Sequence, residues 1–418
     1  MYLTKTRVEK TSGQINLSNK FQLSTKKLFR SVSESTNNYH VKPSPGRPHI
    51  PSWLVLRSYQ TQAITNWFKS NGRGTLKMAT GSGKTITALS IACELYKQIQ
   101  LQVLLVVCPY RHLVTQWGRE CEKFNLQPIL AFESVSTWQS QLTTQLYNIH
   151  SGTQQFLTII TTNSTLNTDS FQSQLRYLPE RTLIIGDEAH NLGAAKVEES
   201  LPRQVGLRLG LSATPERYYD DDGTQSLLSY FGAVIQPEFT LKDAISQGAL
   251  VHYLYYPVLV ELTETESIAY SKITQKIGRK LLFKNKEGAD LTDIENNEDI
   301  THLLMRRARL VGAAENKLNA LRELMQRRRE TTHTLFYCGD ASPQADSKSD
   351  LSQLRAVTQI LGVELNYRIT TYTAQTPLEE REKLRRQFES GELQGLVAIK
   401  CLDEGVDIPA IQTAVILA

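Results

Sequence analysis

A chain of 418 residues is longer than one ordinary hydrophobic core fills, so two or three domains are expected. Hydrophobic residues at 40% and charged residues at 21% are the balance of a soluble globular protein, and a formal net charge of +5 permits an acidic polymer as partner without arguing for one. Five scattered cysteines with no Cys-x-x-Cys argue against a disulfide framework and a zinc site, and suit reduced thiols in a cytoplasmic setting. The first 30 residues hold no apolar stretch of signal-peptide length. The most apolar run, Leu101 to Pro109, is too short to span a bilayer, so no membrane is expected.

Residues 1–50 are rich in Ser, Thr, Asn and Lys and end in Lys42-Pro43-Ser44-Pro45-Gly46-Arg47-Pro48, a polar segment and linker. Residues 51–217 then alternate short apolar runs with helical patterns. Val103–Cys108, Phe156–Thr161, Leu183–Gly186 and Leu207–Leu211 read as buried strands of a parallel sheet with helices on both faces, an α/β domain. Thr85 to Gln98 has helical spacing and directly follows Lys77-Met78-Ala79-Thr80-Gly81-Ser82-Gly83-Lys84-Thr85. A Gly-rich turn between strand and helix aims several N–H groups at one point, where the helix dipole also favours an anion. Gly81 and Gly83 let the backbone approach phosphates, Lys84 is placed to bridge the β- and γ-phosphates, and Thr85 to ligate magnesium. Met78 stands where the strict form of this loop has a first glycine, yet Ala-Thr-Gly-Ser-Gly-Lys-Thr is specific without it.

The run Thr182–Gly186 ends in Asp187-Glu188-Ala189-His190. Parallel sheets place ligand-binding groups at the ends of their strands. Asp187 is expected to hold magnesium and Glu188 to orient and deprotonate the attacking water of ATP hydrolysis. Glu188 and His190 lack the His-Glu-x-x-His spacing of a zinc site. Gly210-Leu211-Ser212-Ala213-Thr214 lacks the second glycine of a hydrolase nucleophile elbow, so Ser212 is not read as a nucleophile.

Residues 218–330 read as a mostly helical connector, with Asp220-Asp221-Asp222-Gly223 as a turn and helices over Glu261–Lys284 and Ile300–Arg329. His302 to Glu330 is basic. It reads equally as a contact to a phosphate backbone and as a solvated helix face. Tyr253, Tyr255 and Tyr256 lie along an apparent strand and read as core and edge packing rather than a base-stacking platform. A second α/β rhythm occupies residues 331–418: strands Thr334–Cys338, Tyr367–Tyr372, Gly395–Ile399 and Thr413–Leu417, with helices Asp350–Leu361 and Pro377–Glu389.

With these motifs in this order, the chain resembles a superfamily 2 DEAD/DEAH-box helicase of the type III restriction-subunit-like group over residues 53–418. Leu56-Arg57-Ser58-Tyr59-Gln60 resembles the Q motif, which implies that Gln60 reads the adenine edge with Arg57 near the ring. Ala79–Thr85 (Thr80, Gly81, Ser82, Gly83, Lys84, Thr85) and Asp187–His190 resemble motifs I and II. Val107 to Arg111, with Pro109 and Arg111, and Ile160 to Asn163, with Thr161, resemble the strand-contacting motifs Ia and Ib. Ser212-Ala213-Thr214-Pro215 is similar to motif III, so His190, Ser212 and Thr214 are implied to couple nucleotide to polymer. Leu335–Gly339 resembles motif IV, Thr373 a backbone-contacting position, and Leu402–Pro409 motif V, with Gly405 and Asp407 facing the nucleotide.

The resemblance implies two RecA-like P-loop domains with ATP in the cleft, Mg2+ as cofactor, and a nucleic acid, DNA rather than RNA, across the top. A nuclease or defence-system partner belongs to the same implication. The family's Gln/Arg-rich motif VI would follow Thr413–Leu417, and the sequence given stops at Ala418. A chain truncated before motif VI, or an arginine finger supplied from elsewhere, is therefore expected; Arg306, Arg307 and Arg309 are the nearest candidates in sequence. Three readings stay open: a DNA helicase or translocase, an ATP-gated DNA-binding module that hydrolyses weakly, and a small-molecule P-loop kinase. The second α/β half argues against the kinase.

Overall fold

The structure is a computed structural model that describes residues 46–217, 220–286, 298–339, 350–373, 376–399, 408 and 410–417. The chain divides into two compact units after Tyr253. In the first, strands β1 (Arg73–Lys77), β2 (Val103–Cys108), β3 (Pro128–Ala131), β4 (Leu157–Thr162), β5 (Thr182–Gly186) and β6 (Leu207–Ser212) form one sheet in the order β1-β6-β5-β2-β4-β3. Every pairing in it is parallel.

The central strands read as unbroken apolar runs because both faces are covered. Leu104, Val106 and Cys108 of β2 enter one core with Trp67, Leu89 and Trp117, while Val103, Leu105 and Val107 enter the other with Trp138, Phe171 and Phe231. Helices Ser58–Lys69, Lys84–Ile99 and Arg111–Lys123 supply the first face; Val135–His150 and Asp221–Phe231 supply the second. The β1 edge is flanked by a strap. Val234 and Phe239 make parallel bridges to Thr75 and Met78, so residues 233–239 run alongside β1 toward the loop that follows it.

Residues 220–250, expected as the start of the connector, thus pack into the first unit. Leu227, Tyr230 and Phe231 fill one core and Ile235, Phe239 and Ala244 the other. Asp220 is a helix cap rather than a turn residue: its carboxylate accepts from Gly223 N at 2.8 Å and so satisfies one of the free N–H groups that open helix Asp221–Phe231. β3 went unread in the sequence. It has four residues and begins with a proline, which fits an outer strand where a missing N–H costs nothing.

The second unit holds β7 (Thr334–Cys338), β8 (Ile369–Tyr372), β9 (Gly395–Ile399) and β10 (Thr413–Ile416) in a parallel sheet of order β10-β7-β9-β8. Phe336, Cys338 and Val397 face a core with Leu321, Met325 and Val357; Leu396 and Ala398 face another with Tyr372, Leu384 and Phe388. Helices Glu264–Lys286 and Glu298–Gly312 pack on each other, and Arg307 lies 5.7 Å over the Tyr270 ring. The helix expected over 300–329 is broken: it ends at Gly312, turns through Ala313–Glu315 and resumes at Asn316–Gln326. Within that turn Ala314 is buried.

Tyr253, Tyr255 and Tyr256 correct the sequence reading. They lie in a stretch with no strand pairing and are 64%, 77% and 72% exposed, so they are neither core nor sheet edge. Among the described residues no helix is long and apolar enough to cross a membrane.

Candidate active site

The loops that follow β1, β5 and β6 meet at the same end of the first sheet. The loop after β1 turns through two glycines in the left-handed region, Gly81 at φ 78° and Gly83 at φ 86°. A Cβ at Gly83 would lie 2.6 Å from the Gln60 amide nitrogen, and one at Gly81 would lie 2.9 Å from Leu250 Cδ2, so both positions need glycine for conformation and for space. Ser82 turns inward: its hydroxyl donates to Ala79 O at 2.6 Å. Helix Lys84–Ile99 starts at once, with Thr80 and Gly81 exposed at the rim and Thr85 half-buried on its first turn.

Lys84 is buried at 8% exposure, and its ammonium lies 3.0 Å from Glu188 Oε1. Glu188 holds φ 41°, a left-handed conformation that costs a side-chain-bearing residue about 1–2 kcal/mol. Strain of this kind concentrates where function fixes a side chain. Here it turns the chain from the end of β5 into the short helix Ala189–Gly193 and aims the carboxylate at Lys84.

Asp187 is buried at 6% exposure. Its Oδ2 accepts from the Trp117 indole N–H at 2.7 Å and its Oδ1 from Glu188 N at 3.1 Å. Burial raises its pKa; the Trp117 hydrogen bond and the Lys84 charge oppose that rise, and the Glu188 charge adds to it. Neither of its two donors carries a charge. A desolvated carboxylate so placed, at the same end of the sheet as the hydroxyl-bearing first turn at Thr85, fits a divalent cation bound with phosphate.

His190 Nδ1 stands 3.1 Å from Ser212 Oγ, and the same hydroxyl accepts from Thr214 N at 3.1 Å. Ser212 O in turn accepts from Met78 N at 3.0 Å. The Asp-Glu-Ala-His segment, the loop after β6 and the phosphate loop are therefore joined through Ser212. Thr214 is exposed. Pro109 and Arg111 follow β2 at the same end of the sheet, with Arg111 exposed and 3.8 Å from Glu133.

Other expected residues fall differently. Gln60 is buried against the phosphate loop: its amide donates to Gly83 O at 3.4 Å and its carbonyl accepts from Arg57 N at 2.9 Å, while the Arg57 side chain is exposed. Thr161 does not fit a polymer contact, because its side chain is fully buried and its hydroxyl donates to Ala131 O at 2.8 Å inside the sheet. In the second unit, Gly339 N donates to Gln353 Oε1 at 3.1 Å, and Thr373 N donates to Thr376 Oγ1 at 3.1 Å. Gly405 and Asp407 lie outside the described residues.

Sequence reading missed Trp117, which supports Asp187, and Tyr59, whose hydroxyl donates to Ser82 O at 2.7 Å. It also missed Arg217, which donates to His190 O and pairs with Asp220. The one available signal was chemical: an aspartate closing a buried strand needs a nearby donor.

Residues 54–217 match the family described as type III restriction enzyme, res subunit, and residues 316–418 match the helicase conserved C-terminal domain. The DNA 3'-5' translocase XPB2 of Sulfurisphaera tokodaii is 26% identical over 374 residues, covering 88% of this chain and 76% of that protein. The chain spans about half the length of the other curated relatives that match along most of it. Among solved structures, the Hef helicase domain of Pyrococcus furiosus superposes with a TM-score of 0.50 at 17% identity, over 86% of this chain and 89% of that one. The Type ISP restriction-modification enzyme LlaBIII superposes with a TM-score of 0.55 at 19% identity, over 87% of this chain and 26% of that one. The chain therefore belongs to the ATP-hydrolysing superfamily 2 helicases of the type III restriction-subunit-like group, with two RecA-like domains.

Proposed function

We propose that this chain couples ATP hydrolysis to movement along DNA. The observation that carries the reading is the set Lys84, Asp187, Glu188, His190 and Ser212: Lys84 pairs with Glu188, His190 two residues on stands 3.1 Å from Ser212 Oγ, and Ser212 accepts from Met78 N at the entry of the phosphate loop and from Thr214 N in the loop after β6. Lys84 binds the transferring phosphates. Glu188, held within reach of that lysine, takes the proton of the attacking water. Asp187 and Thr85 would hold magnesium, which when bound neutralises charge on the phosphates. We assign Asp187–His190 as a DEAH form of motif II. Ser212 passes a change at His190 to Thr214 and the exposed rim, where Pro109 and Arg111 also lie.

DNA is the favoured polymer, supported by the translocase named above, and the restriction-subunit family match supports a nuclease or defence-system partner. A cytosolic setting belongs to the same proposal, supported by four buried free thiols, Cys93, Cys108, Cys121 and Cys338. Steady-state ATP hydrolysis with no polymer, single-stranded DNA, duplex DNA and RNA tests the reading. DNA-stimulated turnover is expected. ATP binding without turnover would indicate a gated binding module, and turnover indifferent to every polymer would contradict the translocase.

A further inference from the structure

The phosphate loop depends on N–H groups that converge on an anion, yet glycine imposes no preferred orientation on the peptides beside it. Three carbonyls of the loop have identifiable anchors. Ala79 O accepts from Ser82 N and Ser82 Oγ, both within the loop. Gly83 O accepts from Thr87 N and Thr87 Oγ1, the first turn of the following helix, and from Gln60. Ser82 O accepts from the Tyr59 hydroxyl at 2.7 Å, a side chain 23 positions away. The Ser82–Gly83 bond is trans, so its carbonyl and its N–H point in opposite directions. Whatever holds Ser82 O on one side presents Gly83 N–H on the other.

Tyr59 is itself held. Its ring stacks on Phe239 with centroids 3.7 Å apart and planes 13° from parallel. The backbone of Phe239 is tied to both ends of the loop's entry: Phe239 N donates to Lys77 O at 2.9 Å, and Ala79 N donates to Phe239 O at 2.8 Å. Burial raises the phenol's pKa, opposed by the Arg57 charge, so the hydroxyl keeps its proton and stays a donor at neutral pH.

We infer that Tyr59, pinned by the strap residue Phe239, is a positioning residue that fixes the Ser82–Gly83 peptide so that Gly83 N–H faces the phosphates of the bound nucleotide. The inference rests on the reading of this loop as the nucleotide site. It assigns Tyr59 to the phosphates and not to the base, so its loss should weaken every triphosphate alike.

The test is equilibrium binding of Mg-ATP, Mg-GTP and inorganic tripolyphosphate to the full chain and to Tyr59→Phe, with thermal unfolding of the ligand-free proteins alongside. Tyr59→Phe keeps the ring and its stacking and removes one hydrogen bond, so affinity should fall by about fivefold for all three ligands, with the unfolding temperature nearly unchanged. Phe239→Leu should weaken the same three ligands, and Phe239→Tyr, which preserves the stack, should restore them. Unchanged affinities in Tyr59→Phe, or a loss confined to ATP with tripolyphosphate unaffected, would overturn the inference. If the unaltered chain binds none of the three, the nucleotide reading itself fails and the inference falls with it.

Discussion

The first unit and the second both lay helices over the two faces of a parallel sheet, but they treat charge differently. Among the described residues, the buried polar groups of the second unit are Thr334, Gln353 and Gln394, all neutral. The first unit buries Lys84, Asp187 and Arg208. An unpaired charge in a protein interior costs several kcal/mol, so each of these must be held by something specific. Arg208 is satisfied by the fold: its guanidinium donates to Val205 O, Tyr230 O and Arg203 O and lies 4.0 Å over the Tyr230 ring. Lys84 and Asp187 are not satisfied in that way. Lys84 faces the Glu188 carboxylate, and Asp187 draws on two neutral donors while burial works against its charge. Among the described residues the two sheets of one architecture thus differ in the charge they bury, and that difference supports placing the proposed chemistry at the end of the first sheet.

The largest expected effect comes from removing the buried lysine. Lys84→Ala deletes the charge-assisted contact proposed to the transferring phosphates, and ATP turnover should fall by about a hundredfold or more. Steady-state hydrolysis checks it; turnover within a few-fold of the unaltered chain would remove the functional contrast between the two sheets.

The support of Asp187 is the next place to press. Trp117→Phe removes the hydrogen bond that opposes the upward push of burial on the Asp187 carboxyl. Its pKa should then rise further. If Asp187 holds magnesium as proposed, it does so in its ionised form, and activity should begin to fail at a higher pH as the solution is acidified. The magnesium concentration for half-maximal ATPase should rise by about tenfold, the usual cost of losing a group that orients a ligand. Magnesium titrations at several pH values would show both changes; an acid limb that stays in place would contradict the role given to Trp117.

These two predictions also divide what the sequence disclosed from what it hid. The loop at Ala79–Thr85 and the segment Asp187–His190 were legible because their chemistry is local: consecutive residues, a strand before and a helix or turn after. The central strands β2, β4, β5 and β6 were legible for a similar reason, since sheets covered on both faces demand unbroken apolar runs. Trp117 was not legible, because 70 positions separate it from Asp187 and only the folded sheet joins them. The same holds for Phe239 against Tyr59. Thr161 was misplaced because a threonine in a strand presents the same letter whether its hydroxyl points to a rim or to a neighbouring carbonyl. Tyr253, Tyr255 and Tyr256 were misread because aromatic and β-branched residues suit a strand, but pairing depends on a partner edge that local sequence does not contain.

Smaller effects sharpen the comparison further. Replacing Ser212 and Thr214 together by Ala cuts the link between His190 and the exposed rim. The DNA-stimulated rate should drop several-fold more than the basal rate; equal losses would make the link structural only. Smallest of all, the cysteines should not distinguish the two units. Burial pushes the Cys93 and Cys338 thiols up to about 12, and it also raises Cys108 and Cys121. None of the four should be alkylated at pH 8 until the protein is unfolded. Mass spectrometry after brief iodoacetamide treatment would reveal any that react, and rapid labelling of Cys338 would show that the second core opens more readily than its packing implies.

The central claim, that Lys84 and its partner Glu188 at the end of the first sheet divide the binding of ATP from its hydrolysis, is tested most directly by equilibrium titration of labelled Mg-ATP against Lys84→Ala and Glu188→Gln. Glu188→Gln keeps the shape and loses the base, so it should retain ATP while hydrolysing it far more slowly. Lys84→Ala should lose most of its affinity. If Glu188→Gln fails to bind ATP as completely as Lys84→Ala does, the division of roles between these two residues is wrong.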